Sequence, residues 1–253
     1  MKRRHEDIDL GIIVFIIVGF IAQMIDGALG MAYGVSSTSF LLSLGISPAV
    51  ASASVHTAEV FTTGVSGISH LIFVNVRKKL FVKLVIPGIL GGILGAYLLS
   101  SVPGKKIKPF VAAYLFLMGL RILVKSFKPI QEKEIKSRLL PLGFAGGLFD
   151  AIGGGGWGPI VTSTLIARGN NPRLTIGSVN FAEFFVTLAE AVTFITMIKL
   201  THWKVIVGLI VGGIIAAPLA AFMCKKLPTK LLMIIVGILI MLLSLRTIYI
   251  SFF

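Results

Sequence analysis

The chain reads as an all-α polytopic membrane protein. It consists of two homologous halves of about four to five helical segments each, with broken, half-length helices near the midplane. Three observations predict this: an apolar composition, a succession of helix-length apolar segments, and an internal repeat. Of 253 residues, 56% are hydrophobic and only 13% are charged, and the mean hydropathy is +0.97. A soluble domain carries about 25% charged residues. This composition excludes a disordered chain, a coiled coil and almost any water-soluble enzyme.

The apolar segments run over 8–29, 35–44, 49–74, 81–101 and 108–124, and again over 139–153, 159–167, 174–198, 205–223 and 231–251. Crossing a bilayer takes about 20 apolar residues, because each helical residue rises 1.5 Å through about 30 Å of hydrocarbon. Most segments reach or approach that length, whereas 35–44 and 159–167 are half as long. Period-2 alternation, the mark of an outer-membrane barrel, is absent. The first apolar run is followed by more of the same rather than by a polar domain, so it reads as a first span and not as a removable signal.

The halves are copies. Shifting the sequence by 124 residues aligns Gly19–Thr63 with Gly143–Thr187 without a gap, and 16 of the 45 positions are identical. Asp26 falls on Asp150, Gly30 on Gly154, Gly34 on Gly158, Pro48 on Pro172 and Glu59 on Glu183. Shared membrane composition scatters Leu and Gly matches; it does not place two carboxylates, a proline and glycines in one register. The polar linker 125–138 divides the chain, giving repeats over 1–125 and 126–253. Repeated halves around a midplane site built from broken helices are the pattern of a secondary transporter.

The net charge is +14. Nearly all of the positive charge lies in short connectors, where Lys and Arg set topology and meet anionic headgroups, so the expected partner is a lipid bilayer and not nucleic acid. The distribution leaves two arrangements open. With ten crossing segments the copies are inverted, and 14 Lys/Arg face 8 on the amino-terminal side. With the short segments not crossing, eight spans remain, the copies are parallel and the two sums exchange sides. Either way the connectors at 77–83 and 125–138 are expected to be cytoplasmic. The single Cys224 forms no internal disulfide.

Five acids lie in apolar surroundings: Asp26, Glu59, Asp150, Glu183 and Glu190. An ionised carboxylate at the bilayer centre costs roughly 2.5–3.5 kcal/mol on insertion scales, so each must be protonated, paired or in a watery cavity. His56, Glu59 and Thr63 share one helix face at i, i+3 and i+7, and Asn180, Glu183 and Thr187 share the equivalent face of the second copy. These stripes suit a pathway, and a His beside a Glu suits proton relay near neutral pH. For Asp26 and Asp150 an alternative stands beside function: a carboxyl that caps the start of a half-helix. A metal site is not expected, since His56 is alone in its stripe.

The glycine runs Gly27–Gly34 and Ala151–Gly158 lack the Lys-Ser/Thr of a phosphate-binding loop. Four consecutive glycines do not sustain a helix. They mark breaks at which backbone N–H groups come free and a following half-helix presents its positive end to an oxyanion. The alternative is close helix packing through small residues. The anion reading assigns Asp26, Gly30, Tyr33, Gly34, Ser37 and Thr38 to the site in one copy. In the other it assigns Asp150, Gly154, Gly155, Trp157, Gly158, Thr162 and Ser163. Tyr33 and Trp157 either wall the site or belong to an interfacial belt. Arg121 and Arg246, near the ends of their halves, are expected to snorkel to the headgroups.

At these repeats the chain resembles the sulfite exporter TauE/SafE family of membrane permeases. The resemblance rests on GFIAQMIDGALGMAYG … GISPAVASASVHTAEV and its copy GFAGGLFDAIGGGGWG … GNNPRLTIGSVNFAEF. It implies a transporter of the cytoplasmic membrane for small sulfur-containing anions such as sulfite, thiosulfate or organosulfonates, working without a cofactor. The first copy carries Met31-Ala32 where the second has Gly155-Gly156, so the two loops are expected to be unequal. Other classes remain as alternatives: a passive anion channel, or a membrane-embedded hydrolase using paired carboxylates. Against the hydrolase, the chain has no HExxH, GxSxG or Cys/His cluster.

Overall fold

A computed structural model describes residues 11–127, 138–168, 170–223 and 229–252. The linker 128–137 and Cys224, both singled out in the sequence, lie outside the described residues. The described residues are helical, without strands. The first half contributes α1 (Ile12–Leu29), α2 (Tyr33–Ser43), α3 (Pro48–Ile72), α4 (Lys78–Ser101) and α5 (Gly104–Ser126). The second contributes α6 (Leu139–Gly153), a π-helical turn (Gly158–Thr162) running into α7 (Ser163–Ala167), α8 (Pro172–Met197), α9 (Trp203–Met223) and α10 (Thr229–Phe252). Five of these, α1, α4, α5, α8 and α9, are long and apolar enough to cross a membrane. The fold is that of an all-α polytopic membrane protein.

Local chemistry sets the boundaries. Pro48 and Pro172 open α3 and α8 in the first turn, where a missing N–H costs nothing. Asn171 caps α8, its side chain accepting the Leu174 N–H at 3.1 Å. Helices α1 and α6 both stop at a left-handed glycine, Gly30 (φ 65°, ψ 34°) and Gly154 (φ 67°, ψ 30°), so the two copies break in the same way. A side chain there costs roughly 1–2 kcal/mol, and glycine avoids it.

Packing partners obey the repeat. The largest interfaces pair α1 with α9 and, equivalently, α6 with α4; α3 meets its own mate α8, and α5 meets α10. Helix directions follow from close contacts. Gly91 and Gly95 of α4 rest against the backbone at Phe144 and Leu148 of α6, in ascending order, so these helices are parallel. Gly208 and Gly212 of α9 climb along Ile12 and Ile16 of α1 in the same manner. Along α3 and α8 the order reverses: Gly64 meets Phe184, Gly67 meets Phe181, and Gly177 meets Asn75. Repeat mates α3 and α8 therefore run antiparallel, related by a pseudo-twofold axis perpendicular to the helices. Of the two arrangements that the charge sums allow, only the inverted one has this geometry, because eight alternating spans would make α3 and α8 parallel.

Helix α2 brings the chain back between α1 and α3. At 11 residues it is about 16 Å long, roughly half the span of α3. Its first residue, Tyr33, lies by Leu209 and Gly213, opposite the middle of α3. The glycine breaks thus sit at mid-height in the bundle.

Arg121 and Arg246 do not snorkel. Arg121 Nη2 donates to Thr164 Oγ1 at 2.8 Å, and Arg246 Nη1 donates to the Ser43 carbonyl at 2.8 Å. Each arginine reaches the short helix of the other half. For Arg246 the acceptor is a carbonyl left unused at the end of α2, where the helix's negative pole also favours a guanidinium; for Arg121 it is a side-chain hydroxyl of α7.

Candidate substrate and ion site

The two breaks meet. A Cβ on Gly34 would lie 2.6 Å from Gly155 Cα, and one on Gly30 would lie 3.1 Å from Thr162 Cγ2, so only glycine permits this approach. Symmetrically, Gly158 abuts Met31, and Gly154 abuts Thr38, whose hydroxyl donates to the Gly154 carbonyl. Tyr33 and Trp157 are fully buried, which rules out an interfacial belt for both. Tyr33 Oη donates to the Leu209 carbonyl (3.4 Å) and Trp157 Nε1 to the Val179 carbonyl (3.1 Å), so each aromatic mate wedges its break against a long helix.

The half-helix start in the second copy differs from the expectation. Asp150 Oδ1 accepts the N–H groups of Gly156 (2.6 Å) and Trp157 (2.9 Å), and the Gly155 N–H bonds to the Asp150 carbonyl (2.9 Å). These donors are spent on the chain itself, which is the capping alternative for Asp150. The Gly156 and Trp157 N–H groups of the second break are therefore satisfied by a carboxylate.

Donors for an anion remain on side chains. Among the buried polar atoms without a hydrogen-bond partner are the hydroxyls of Ser36, Ser37, Ser39 and Thr162, the Asn180 amide nitrogen and both polar atoms of Gln23. A buried, unsatisfied polar group costs roughly 1–3 kcal/mol, and such a group at mid-bundle marks a place where a ligand or water is received. Ser163 is otherwise engaged, its hydroxyl bonding to the Pro159 carbonyl. Ser37 and Thr162 thus keep unbonded hydroxyls, while those of Thr38 and Ser163 bond to backbone carbonyls of the second break.

All five intramembrane acids are buried, none more than 3% exposed, so none faces lipid. Among the described residues no Lys or Arg pairs with any of them; three of the five, Glu59, Asp150 and Glu190, surround the imidazole of His56. Its Nε2 lies 2.9 Å from Glu190 Oε2, 3.6 Å from Asp150 Oδ2 and 4.0 Å from Glu59 Oε2. Glu190 carries no role in the sequence pattern because it has no acidic mate. Its mate is Ser66, and Ser66 Oγ donates to Asn180 Oδ1 at 2.7 Å. The His56–Glu190 contact of one copy is thus the Asn180–Ser66 contact of the other, charged in one and neutral in its twin. Glu190 enters because Gly92 of α4 has no side chain; a Cβ there would stand 2.5 Å from Glu190 Oε1.

On the axis, Thr63 and Thr187 face each other, Oγ1 to Oγ1 at 3.5 Å. Each hydroxyl also binds the carbonyl of the preceding glutamate, Glu59 (2.5 Å) or Glu183 (2.9 Å). The two stripes read from the sequence therefore close on one another at the centre.

A buried cluster of polar and acidic side chains between inverted copies of an apolar helix bundle is the arrangement of a multi-pass membrane transporter. The family model of the sulfite exporter TauE/SafE matches residues 15–247. The chain belongs to that family. A Bacillus subtilis (strain 168) protein described as "Probable membrane transporter protein YtnM" is 45% identical over 246 residues, covering 93% of this chain and 82% of that protein. No solved structure matches.

Proposed function

We propose that this transporter is a secondary carrier that moves a small sulfur-containing oxyanion, such as sulfite, thiosulfate or an organosulfonate, across the plasma membrane by alternating access. The observation that carries the reading is a set of buried polar atoms without partners in the bundle where the breaks meet. Ser36, Ser37, Thr162 and Asn180 offer unused donors there, and among the described residues no Lys or Arg neutralises the five buried carboxyls.

Charge then sets the mechanism. An anion does not enter a low-dielectric chamber beside ionised carboxylates, since at 4 Å two like charges repel by about 4 kcal/mol even at an effective dielectric of 20. Anion entry requires that positive charge enter with it, and protons on Glu59, Glu183 and His56 supply it. Binding of anion and proton is thereby mutually reinforcing. Thr63 and Thr187 lie between the two glutamates as hydroxyls able to pass a proton across the axis.

The packing supports one division into moving parts. Because α9 packs on α1 and α4 on α6, the proposed rocking bodies are α1–α3 with α9, and α6–α8 with α4, and the repeat then assigns α10 to the first and α5 to the second. The sequence halves themselves are interlocked. The bodies turn against each other along α3–α8 and α5–α10, where mates face mates.

The test is labelled-sulfite flux in proteoliposomes under an imposed pH gradient. A carrier of this kind saturates, exchanges internal for external anion, and responds to the gradient. Linear, non-exchanging flux is the signature of a channel.

A further inference from the structure

We propose that His56, Glu59, Asp150 and Glu190 form a binding site for one divalent transition-metal cation of the zinc, cobalt or manganese class. Four side chains from three helices converge there: His56 and Glu59 from α3, Asp150 from α6 and Glu190 from α8. Ligand atoms of His56, Asp150 and Glu190 all lie within 4.8 Å of one another and are fully or almost fully buried.

The imidazole is oriented for coordination. Nδ1 lies 2.8 Å from the Ser52 carbonyl and 3.1 Å from Ser52 Oγ, whose own proton goes to the Ala151 carbonyl at 2.7 Å. Both neighbours of Nδ1 are therefore acceptors, and Nδ1 carries the proton. A ring N–H given to a backbone carbonyl is the usual outer-shell arrangement of a metal-binding histidine. In the neutral ring Nε2 then presents a lone pair, and three carboxylate oxygens face it.

A lone pair facing anionic oxygens is repulsive unless a cation lies between them. A proton on Nε2 serves one acceptor at a time, and no carboxylate here makes an aligned hydrogen bond with it: Nε2, Glu59 Oε2, Asp150 Oδ2 and both Glu190 oxygens have no hydrogen-bond partner. A metal ion serves all of them. Ligand atoms about 2.0–2.2 Å from a tetrahedral ion lie about 3.3 Å apart, and the 2.9 and 3.6 Å separations bracket that spacing. One imidazole with carboxylates suits zinc, cobalt or manganese better than magnesium or calcium, which prefer all-oxygen shells. The Phe194 ring, 5.9 Å from that of His56, supplies an apolar wall. The twin set, Asn180, Glu183, Asp26 and Ser66, lacks the imidazole and one carboxylate, so the stoichiometry is one ion per chain.

The experiment is titration of the purified full-length chain with Co²⁺, followed by visible absorption, with Zn²⁺ as competitor and metal-to-protein ratio measured after desalting. The expected result is one Co²⁺ per chain, displaced by Zn²⁺. Binding is lost in His56→Asn/Glu190→Ser, which installs the side chains of their repeat mates Asn180 and Ser66, and is unchanged in His202→Asn. Glu190→Gln, which keeps shape, weakens binding at least tenfold and covers the case in which the double variant does not fold. Wild-type protein that binds no Co²⁺, or binds it equally in wild type and Glu190→Gln, overturns the proposal. No transported substrate is present, so the result is independent of the transport assay.

Discussion

The hydroxyls of Thr63 and Thr187 lie 3.5 Å apart across the centre of the bundle, and each is the other's repeat mate, 124 positions away in the chain. A residue that touches its own copy lies on the symmetry axis. The axis therefore passes between Glu59 and Glu183, and the polar stripes of both halves share one chamber.

A disulfide across that axis is expected to stop transport. In a Cys224→Ser background, Thr63→Cys with Thr187→Cys brings two thiols to about the separation a disulfide needs. Oxidation should abolish flux and reduction should restore it, since the proposed rocking bodies part between α3 and α8. Full flux by the oxidised, crosslinked protein contradicts that division.

Neutralising the paired acids tests the charge argument. Glu59→Gln and Glu183→Gln should each lower pH-driven sulfite flux at least about tenfold, roughly 1.4 kcal/mol of barrier. Exchange of anion for anion at fixed pH should suffer less. Undiminished flux under a gradient removes these residues from the mechanism.

Ala32 has φ 101°, a left-handed backbone at a non-glycine residue, where the second copy has Gly156. Ala32→Gly should stabilise the protein by about 1 kcal/mol, read as a higher melting temperature in detergent. Gly154→Ala should destabilise it by more, because strain at φ 67° adds to a collision with Thr38.

Arg121 and Arg246 tie the short helices to the last helix of the opposite half. Arg121 is partly buried and Arg246 is exposed, so water screens the second bond more. Arg121→Ala should cost about 1 kcal/mol and Arg246→Ala less, with increased hydrogen exchange at 163–167 and 40–43 respectively. Equal protection in both variants and wild type contradicts the tie.

Much of this was legible in the chain. The two half-length segments, the gapless repeat and the stripes on α3 and α8 follow from periodicity and spacing, which are local properties. Three things were not. The charge sums are 14 and 8 in either arrangement and merely exchange sides, so inversion needed the antiparallel contacts of α3 with α8. The partners of His56 come from α6 and α8, and spacing along one helix says nothing about them; the one available signal was a fifth buried acid, Glu190, without a mate. Nor does a glycine run disclose that Asp150, six residues back, will take the N–H groups that it frees. That depends on the chain doubling back.

Simultaneous measurement of labelled-sulfite uptake and lumenal pH in proteoliposomes tests the central claim most directly. The account predicts saturable uptake with a proton flux that rises and falls with sulfite, both suppressed by Glu59→Gln and Glu183→Gln. Sulfite movement that leaves lumenal pH unchanged, at the same rate in wild type and both variants, would contradict it.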